Sequence, residues 1–199
     1  MEAKDVLLLL KECEALLEGH FELSSGKRSD RYVQCALALQ HPARAGVLGV
    51  ALGEKFHEER VDVVIGPAMG GIIIGHEVAR FLGARCLFTE RKDGEMTLRR
   101  GFTLEPDEKV LVVEDVVTTG GSAKEVVTLL KRLGAEVVGV GSIVDRTGGG
   151  NPFDVPFRSL VQVQAQVWTA DEDPLARQGS LPVKPGSRGL SENVGGSEA

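Results

Sequence analysis

The stretch of this chain with the most chemistry in it runs from Val110 to Ala123, VLVVEDVVTTGGSA. An apolar, β-branched run ends in two adjacent carboxylates, Glu114 and Asp115. Two apolar residues, Val116 and Val117, separate them from a hydroxyl- and glycine-rich turn, Thr118, Thr119, Gly120, Gly121 and Ser122, that leads straight into a helical pattern. Glycines and hydroxyls at a helix N-terminus present unpaired N–H groups and the positive end of the helix dipole, which suits a phosphate. Carboxylates at the end of the preceding strand accept hydrogen bonds from a vicinal diol, as acidic residues do for ribose hydroxyls in dinucleotide folds. The two halves together describe a cradle for a ribose 5-phosphate, the diol on the acids and the phosphate in the turn. A Gly-Ser turn alone would read more simply as a capped helix start beside solvated acids; the full run favours the cradle. No GxxxxGK[ST] occurs, and no GxGxxG follows a strand, so neither a P-loop nucleotidase nor a dinucleotide site is expected.

Two other segments carry weaker signals. GPAMGG (Gly66 to Gly71, with Ala68, Met69 and Gly70 inside it) follows a strand pattern and opens a helix. Its N–H groups could bind a second anion, and a simple tight turn fits it equally well. SIVDRTGGG places Asp145 and Arg146 at a strand end, where an arginine alone reads as an exposed terminal residue. The four histidines, His20, His41, His57 and His76, stand apart without metal-ligand spacing and read as ordinary structural or surface residues. Met69 reads as a cap on the core, Phe153 and Trp168 as packing residues, and TGGGNP (Thr147 to Pro152) as a loop.

These residues need elements to position them. Ala3 to about Leu17 reads as a helix, followed by a turn-rich segment to Gln40 with two short strand candidates. A helical stretch from Pro42 to about Glu59 comes next. Strands VDVVI, ARCLF, KVLVVED and EVVGVGSIVD then alternate with helices IIIGHEVARFLG and AKEVVTLLKRLG, and a long polar loop spans Thr89 to about Glu108. Continuous apolar strands alternating with helices predict an α/β fold with a parallel sheet covered on both faces. The strands' carboxyl ends then gather on one edge, where ligands bind. From about Pro182 the chain is Gly/Ser-rich without aliphatic periodicity, so residues 182–199 read as a disordered tail.

At 199 residues the chain is long enough for one domain, and its core needs no disulfide or metal staple. The formal net charge is −6, which argues against a general nucleic-acid or membrane-surface binder. Three widely spaced cysteines, Cys13, Cys35 and Cys86, fit a reducing cytoplasm. The N-terminal apolar run, Val6 to Leu10, is too short and too closely followed by charge to be a signal or membrane helix.

The Val110–Ala123 run resembles the phosphoribosyl pyrophosphate (PRPP) motif of the type I phosphoribosyltransferases. FELSSGKRSDRYV (Phe21 to Val33) is similar to the hood signature of the orotate branch of that family, and Arg146 stands where that branch places an arginine against the base. The resemblance spans about Phe21 to Arg146. It implies a type I phosphoribosyltransferase fold with a mostly parallel five-stranded sheet and an N-terminal hood. The expected organisation is a single domain over residues 1–181, with a hood from about 1 to 41 and a core from about 42 to 168.

The resemblance also implies roles. Glu114 and Asp115 would hold the ribose hydroxyls, Val116 to Ser122 the 5-phosphate, and Ala68, Met69, Gly70 and Gly71 the pyrophosphate. Thr118 and Arg146 would contact orotate, whose planar carboxylate suits a guanidinium. The segment TERKDGEMTLRRGF (Thr89 to Phe102) would be a short basic lid. Arg91 and Lys92, with Arg99 or Arg100, would neutralise the leaving group there and exclude water. In some members a lysine stands at the hood position occupied by Ser24 and at the pyrophosphate-loop position occupied by Gly70. The implied reaction is Mg²⁺-dependent transfer of ribose 5-phosphate from PRPP to N1 of orotate, in a cytoplasmic homodimer whose lid reaches the neighbouring subunit. Mg²⁺ would ride mainly on PRPP rather than in a protein cage. A purine phosphoribosyltransferase and a non-catalytic PRPP-sensing regulator are the rival readings.

Overall fold

The computed structural model describes residues 1–23 and 25–185. Ser24 and the end of the expected tail, 186–199, lie outside the described residues. The chain divides into two compact units, Met1–Ala15 with Gln34–Gln164, and Leu16–Val33 with the chain from Ala165 onward. The first fifteen residues, expected in the hood, therefore belong with the larger unit.

In the larger unit, α1 (Ala3–Glu12) buries Val6 and Leu10. A short α2 (Ala36–Leu39) precedes α3 (Pro42–Glu54), which opens with proline in its first turn, where a missing N–H costs nothing. Then come β3 (Val63–Pro67), α4 (Gly70–Leu82), β4 (Arg85–Lys92), β5 (Glu95–Leu98), β6 (Lys109–Val117), α5 (Gly121–Arg132), β7 (Glu136–Asp145) and β8 (Phe157–Gln162). The smaller unit holds β1 (Leu16–Glu22), β2 (Arg28–Val33), β9 (Val167–Trp168) and the short α6 (Pro174–Arg177).

The larger sheet has six strands in the order β5-β4-β3-β6-β7-β8. Five of them run parallel, and β5 adds an antiparallel edge through a hairpin with β4. The hairpin is the main departure from the sequence reading. Residues expected to form one long loop from Thr89 instead extend β4 to Lys92, turn through Asp93 and Gly94, and return as β5. The charged composition hid a strand pair whose inner side is Thr89 and Met96, both buried.

β3 is buried at every position, as its unbroken apolar run requires of a central strand covered on both faces. Val63 and Ile65, with Val110 and Val112 of β6, pack under Ala123, Val126, Val127 and Leu130 of α5. Phe153, expected as a packing residue, lies against this cluster and meets Phe157 edge-on. The sequence leaves β3 through α4 to β4 on one side, and leaves β6 through α5 to β7 on the other. The strand order therefore reverses between β3 and β6, and a crevice opens beyond their carboxyl ends. Open α/β sheets bind ligands at such a switch point.

In the smaller unit β2 lies between β1 and β9, all antiparallel. His20 is buried here and bonds Asp173 through Nε2 at 2.6 Å and Ser180 Oγ through Nδ1 at 3.1 Å. Asp173 also caps α6 by accepting from the N–H groups of Leu175 and Ala176. His20 is thus a structural histidine, with a partner far along the chain that spacing could not reveal. Val183 pairs with Phe21, and its carbonyl accepts from Glu22 N–H at 2.8 Å. The ordered chain therefore continues past Pro182, where the tail was expected to begin.

Candidate active site

Both loops of the crevice begin where a strand runs out. β3 ends at Pro67 and α4 begins at Gly70. Ala68 N–H donates to the Thr89 carbonyl at 2.8 Å, and the Ala68–Met69 peptide is cis. Met69, expected to cap the core, is 83% exposed, because the turn lifts it off the sheet edge. Gly71 is pressed against the sheet: a Cβ there would lie 2.5 Å from the Val113 carbonyl oxygen. At Gly70 a Cβ would lie 2.5 Å from Asp115 Oδ1, so this glycine makes room for the second acid.

β6 supplies the acid pair. Glu114 Oε2 accepts from Asp115 N–H at 3.3 Å, and Asp115 Oδ1 accepts from Val116 N–H at 2.8 Å. Burial and the neighbouring Asp115 charge push the Glu114 carboxyl up to about 8. Burial also raises Asp115, and the N–H bonds from the backbone pull it part of the way back. Behind the pair, the Cys35 thiol is pushed well up by burial and by the two carboxylates. The acids thus sit in surroundings that resist negative charge until a donor or a cation joins them.

After Val117 the chain turns through Thr118, Thr119 and Gly120, the last left-handed at φ 73°, a conformation glycine adopts without strain. No side chain caps α5, and no acidic residue occupies its first turn. Its leading N–H groups and the dipole's positive end are therefore open to an anion. A cavity of about 350 Å³ is lined by Arg91, Glu114, Val116, Val117, the Thr118–Ser122 turn, Ala123 and Glu125. It joins one acid of the pair, the turn and one arginine of the basic segment. Asp115 is not among the lining residues and faces Gly70 instead.

The other predicted residues take separate places. Arg146 follows β7, and its N–H donates to the Val117 carbonyl at 2.8 Å, which sets it beside the end of β6. The buried Asp145 accepts from Thr147 N–H at 2.7 Å and from Gln162 Nε2 at 3.1 Å, fixing the start of the loop that carries Arg146. Lys92 ends β4 opposite Glu95, outside the cavity lining. Arg100 forms a two-pronged pair with Glu90 at 2.8 Å and lies over the Phe88 ring, so it braces the base of the hairpin. Arg99, which follows β5 next to that brace, is exposed. Sequence reasoning passed over Glu125. Its signal was its place four residues after Gly121, one helical turn above the glycine turn on the same face.

A metal has no ready-made cage: no group of three or more His, Cys, Asp or Glu side chains is placed to hold one among the described residues. The neighbouring carboxylates are hard oxygen donors whose charge is poorly compensated, which fits an oxygen-seeking divalent cation that brings most of its ligands with it. No helix among the described residues is long and apolar enough to cross a membrane.

Comparison with known proteins gives the family. Residues 38–177 match the family described as the phosphoribosyl transferase domain. A protein named orotate phosphoribosyltransferase from Caldanaerobacter subterraneus subsp. tengcongensis is 54% identical over 190 residues, 96% of this chain and all of that one. Its namesake from Thermotoga maritima is 55% identical over 92% of this chain and 97% of its own. Among solved structures, the orotate phosphoribosyltransferase from Aeropyrum pernix superimposes with a TM-score of 0.64 at 28% identity, covering 79% of this chain and 93% of that one. An adenine phosphoribosyltransferase from Rhodothermus marinus gives a TM-score of 0.61 at 26% identity, covering 80% of this chain and 99% of its own. Backbone shape alone therefore does not distinguish the base.

Proposed function

This chain belongs to the phosphoribosyltransferase family, within its orotate branch, and from that premise we propose how its switch-point crevice carries out the transfer of ribose 5-phosphate from PRPP to N1 of orotate. The reading rests on the cavity that joins Glu114 to the uncapped start of α5. The Thr118–Ser122 turn and the first N–H groups of α5 hold the 5-phosphate. Glu114 and Asp115 accept from the ribose hydroxyls and set negative charge near a sugar that becomes oxocarbenium-like as the bond to pyrophosphate stretches. The Ala68–Gly71 turn presents backbone to the pyrophosphate, with Gly70 leaving room for Asp115.

Arg146 and Thr118 contact orotate, the guanidinium pairing with the planar carboxylate. Arg91 and Lys92, on the hairpin arm, neutralise the departing pyrophosphate. Glu114 and Asp115 would help hold a Mg²⁺ carried chiefly by PRPP, and that cation would supply the remaining neutralisation of the leaving group. Orotate brings its own nucleophilic nitrogen, so the protein's work is alignment and charge stabilisation. We place the enzyme in the cytoplasm, which suits its three free cysteines, and we take it to be a homodimer.

The direct test mixes protein, orotate, PRPP and Mg²⁺ and follows loss of orotate absorbance with release of pyrophosphate. Turnover with adenine but not orotate would leave the fold intact and refute the assigned base. Asp115→Asn should remove turnover, by at least about 100-fold as for loss of a preorganised charge, while thermal unfolding stays cooperative. Full activity in that variant would disprove the ribose clamp.

A further inference from the structure

The cavity prepared for a phosphorylated sugar has a carboxylate in its wall. Glu125 lines it from the second turn of α5, above the Thr118–Ser122 turn. A negative charge there opposes the anion that the α5 N-terminus attracts. Its partner is Arg91: Nη1 lies 2.9 Å from Oε2, and Nη2 donates to Oε1 at 3.0 Å. Arg91 Nη1 also donates to the Gly94 carbonyl at 2.6 Å, across the turn of the β4–β5 hairpin. The guanidinium assigned to the phosphates is therefore already engaged at both terminal nitrogens. The side chains of the pair are 46% and 42% exposed, so the contact is water-screened and exchangeable rather than locked.

We infer that Glu125 is a positioning residue that parks Arg91 at the cavity wall and yields it to PRPP, so that this carboxylate sets the affinity for the sugar phosphate. The parked arginine keeps the hairpin arm against α5 and neutralises Glu125. A phosphate, carrying more charge and accepting guanidinium bonds in the same forked geometry, displaces the carboxylate. The competition is the same whether the hairpin serves the cavity of its own chain or that of a second copy. The inference rests on the assignment of Arg91 to the phosphates.

Binding of PRPP with Mg²⁺, measured by titration calorimetry without orotate, tests both statements. The proteins are wild type, Glu125→Gln, Arg91→Ala and the double variant. Arg91→Ala alone should weaken binding several-fold; unchanged affinity would overturn the assignment of Arg91 itself. Glu125→Gln should tighten binding about two- to fivefold, the scale of one exposed ion pair. Loss of a merely structural contact would weaken binding instead, so a gain is the distinguishing sign. In the Arg91→Ala background the gain should fall to less than about half on a logarithmic scale, because no arginine remains to be released. An equal gain in both backgrounds would reduce Glu125 to simple repulsion and overturn the inference, as would weaker or unchanged binding in Glu125→Gln.

Discussion

Glu114 is a carboxyl group kept where its charge is unwelcome, and that has a measurable cost to the fold. Its pKa near 8 in the native state stands well above the ordinary carboxylate value, so between about pH 4.5 and 8 the native state binds more protons than the unfolded chain. Stability must then fall as pH rises through that window. Glu114→Gln keeps the shape and removes the titration. It should raise the melting temperature at pH 8.5 by about 5–10 °C, for a relief on the order of 2–4 kcal/mol, and change it little at pH 5. Scanning calorimetry at the two pH values checks this, and an equal shift at both would show that the gain is not electrostatic. The same variant should lose turnover, since the charge that burial disfavours is what the ribose and the developing cation require. Adjacent acids before a glycine turn were plain in the sequence. That Asp115 would turn from the cavity toward Gly70 was not, because that contact joins β6 to the start of α4, more than forty residues away in the chain.

At the scale of elements, the site depends on how tightly the β3–α4 corner closes on β6. Gly71 has no space for a methyl group: a Cβ would meet the Val113 carbonyl oxygen at 2.5 Å and the Gly66 Cα and Pro67 Cδ at 2.9 Å each. All three belong to backbone or to a fixed ring and cannot rotate away. Gly71→Ala should therefore cost about 2–4 kcal/mol and push the pyrophosphate loop off the sheet edge, lowering both the midpoint of urea unfolding and PRPP affinity. A variant with the parental midpoint would show that the corner can open freely. The strands around this corner were legible because β3, β6 and β7 are apolar runs buried on both sides, a pattern little else produces. The β4–β5 hairpin was hidden because it is an edge. Thr89 and Met96 are buried while Arg91, Lys92 and Glu95 are exposed, and so charged a stretch reads as a loop until its pairing is seen. The smaller unit was hidden for another reason, since it joins Leu16–Val33 to chain beyond Ala165 and no local pattern announces so distant a partner.

At the scale of the whole molecule, the proposed homodimer and the proposed arm meet in one experiment. The acids and the glycine turn lie on β6 and α5, whereas Arg91 and Lys92 lie on a hairpin at the sheet's edge. If the arm of one subunit completes the cavity of the other, two kinds of damage on separate chains are repairable. An Arg91→Ala/Lys92→Ala chain keeps its acids and lacks an arm; an Asp115→Asn chain keeps its arm and lacks an acid. Each alone should be nearly inactive. Unfolded together and refolded as an equal mixture, half the dimers should be mixed, and each of these holds one site with sound acids under a sound arm. Turnover should then recover to about a quarter of the wild-type value per subunit. An arm that serves its own chain predicts no recovery, because every site in a mixed dimer then keeps one of the two defects. Sedimentation of the mixture at twice the 21.3 kDa chain mass must accompany the result, since a monomer has no partner to repair it. Recovery would place the arm's charges between subunits and make PRPP binding a property of the pair, whereas a sedimenting dimer without recovery would confine each arm to its own crevice.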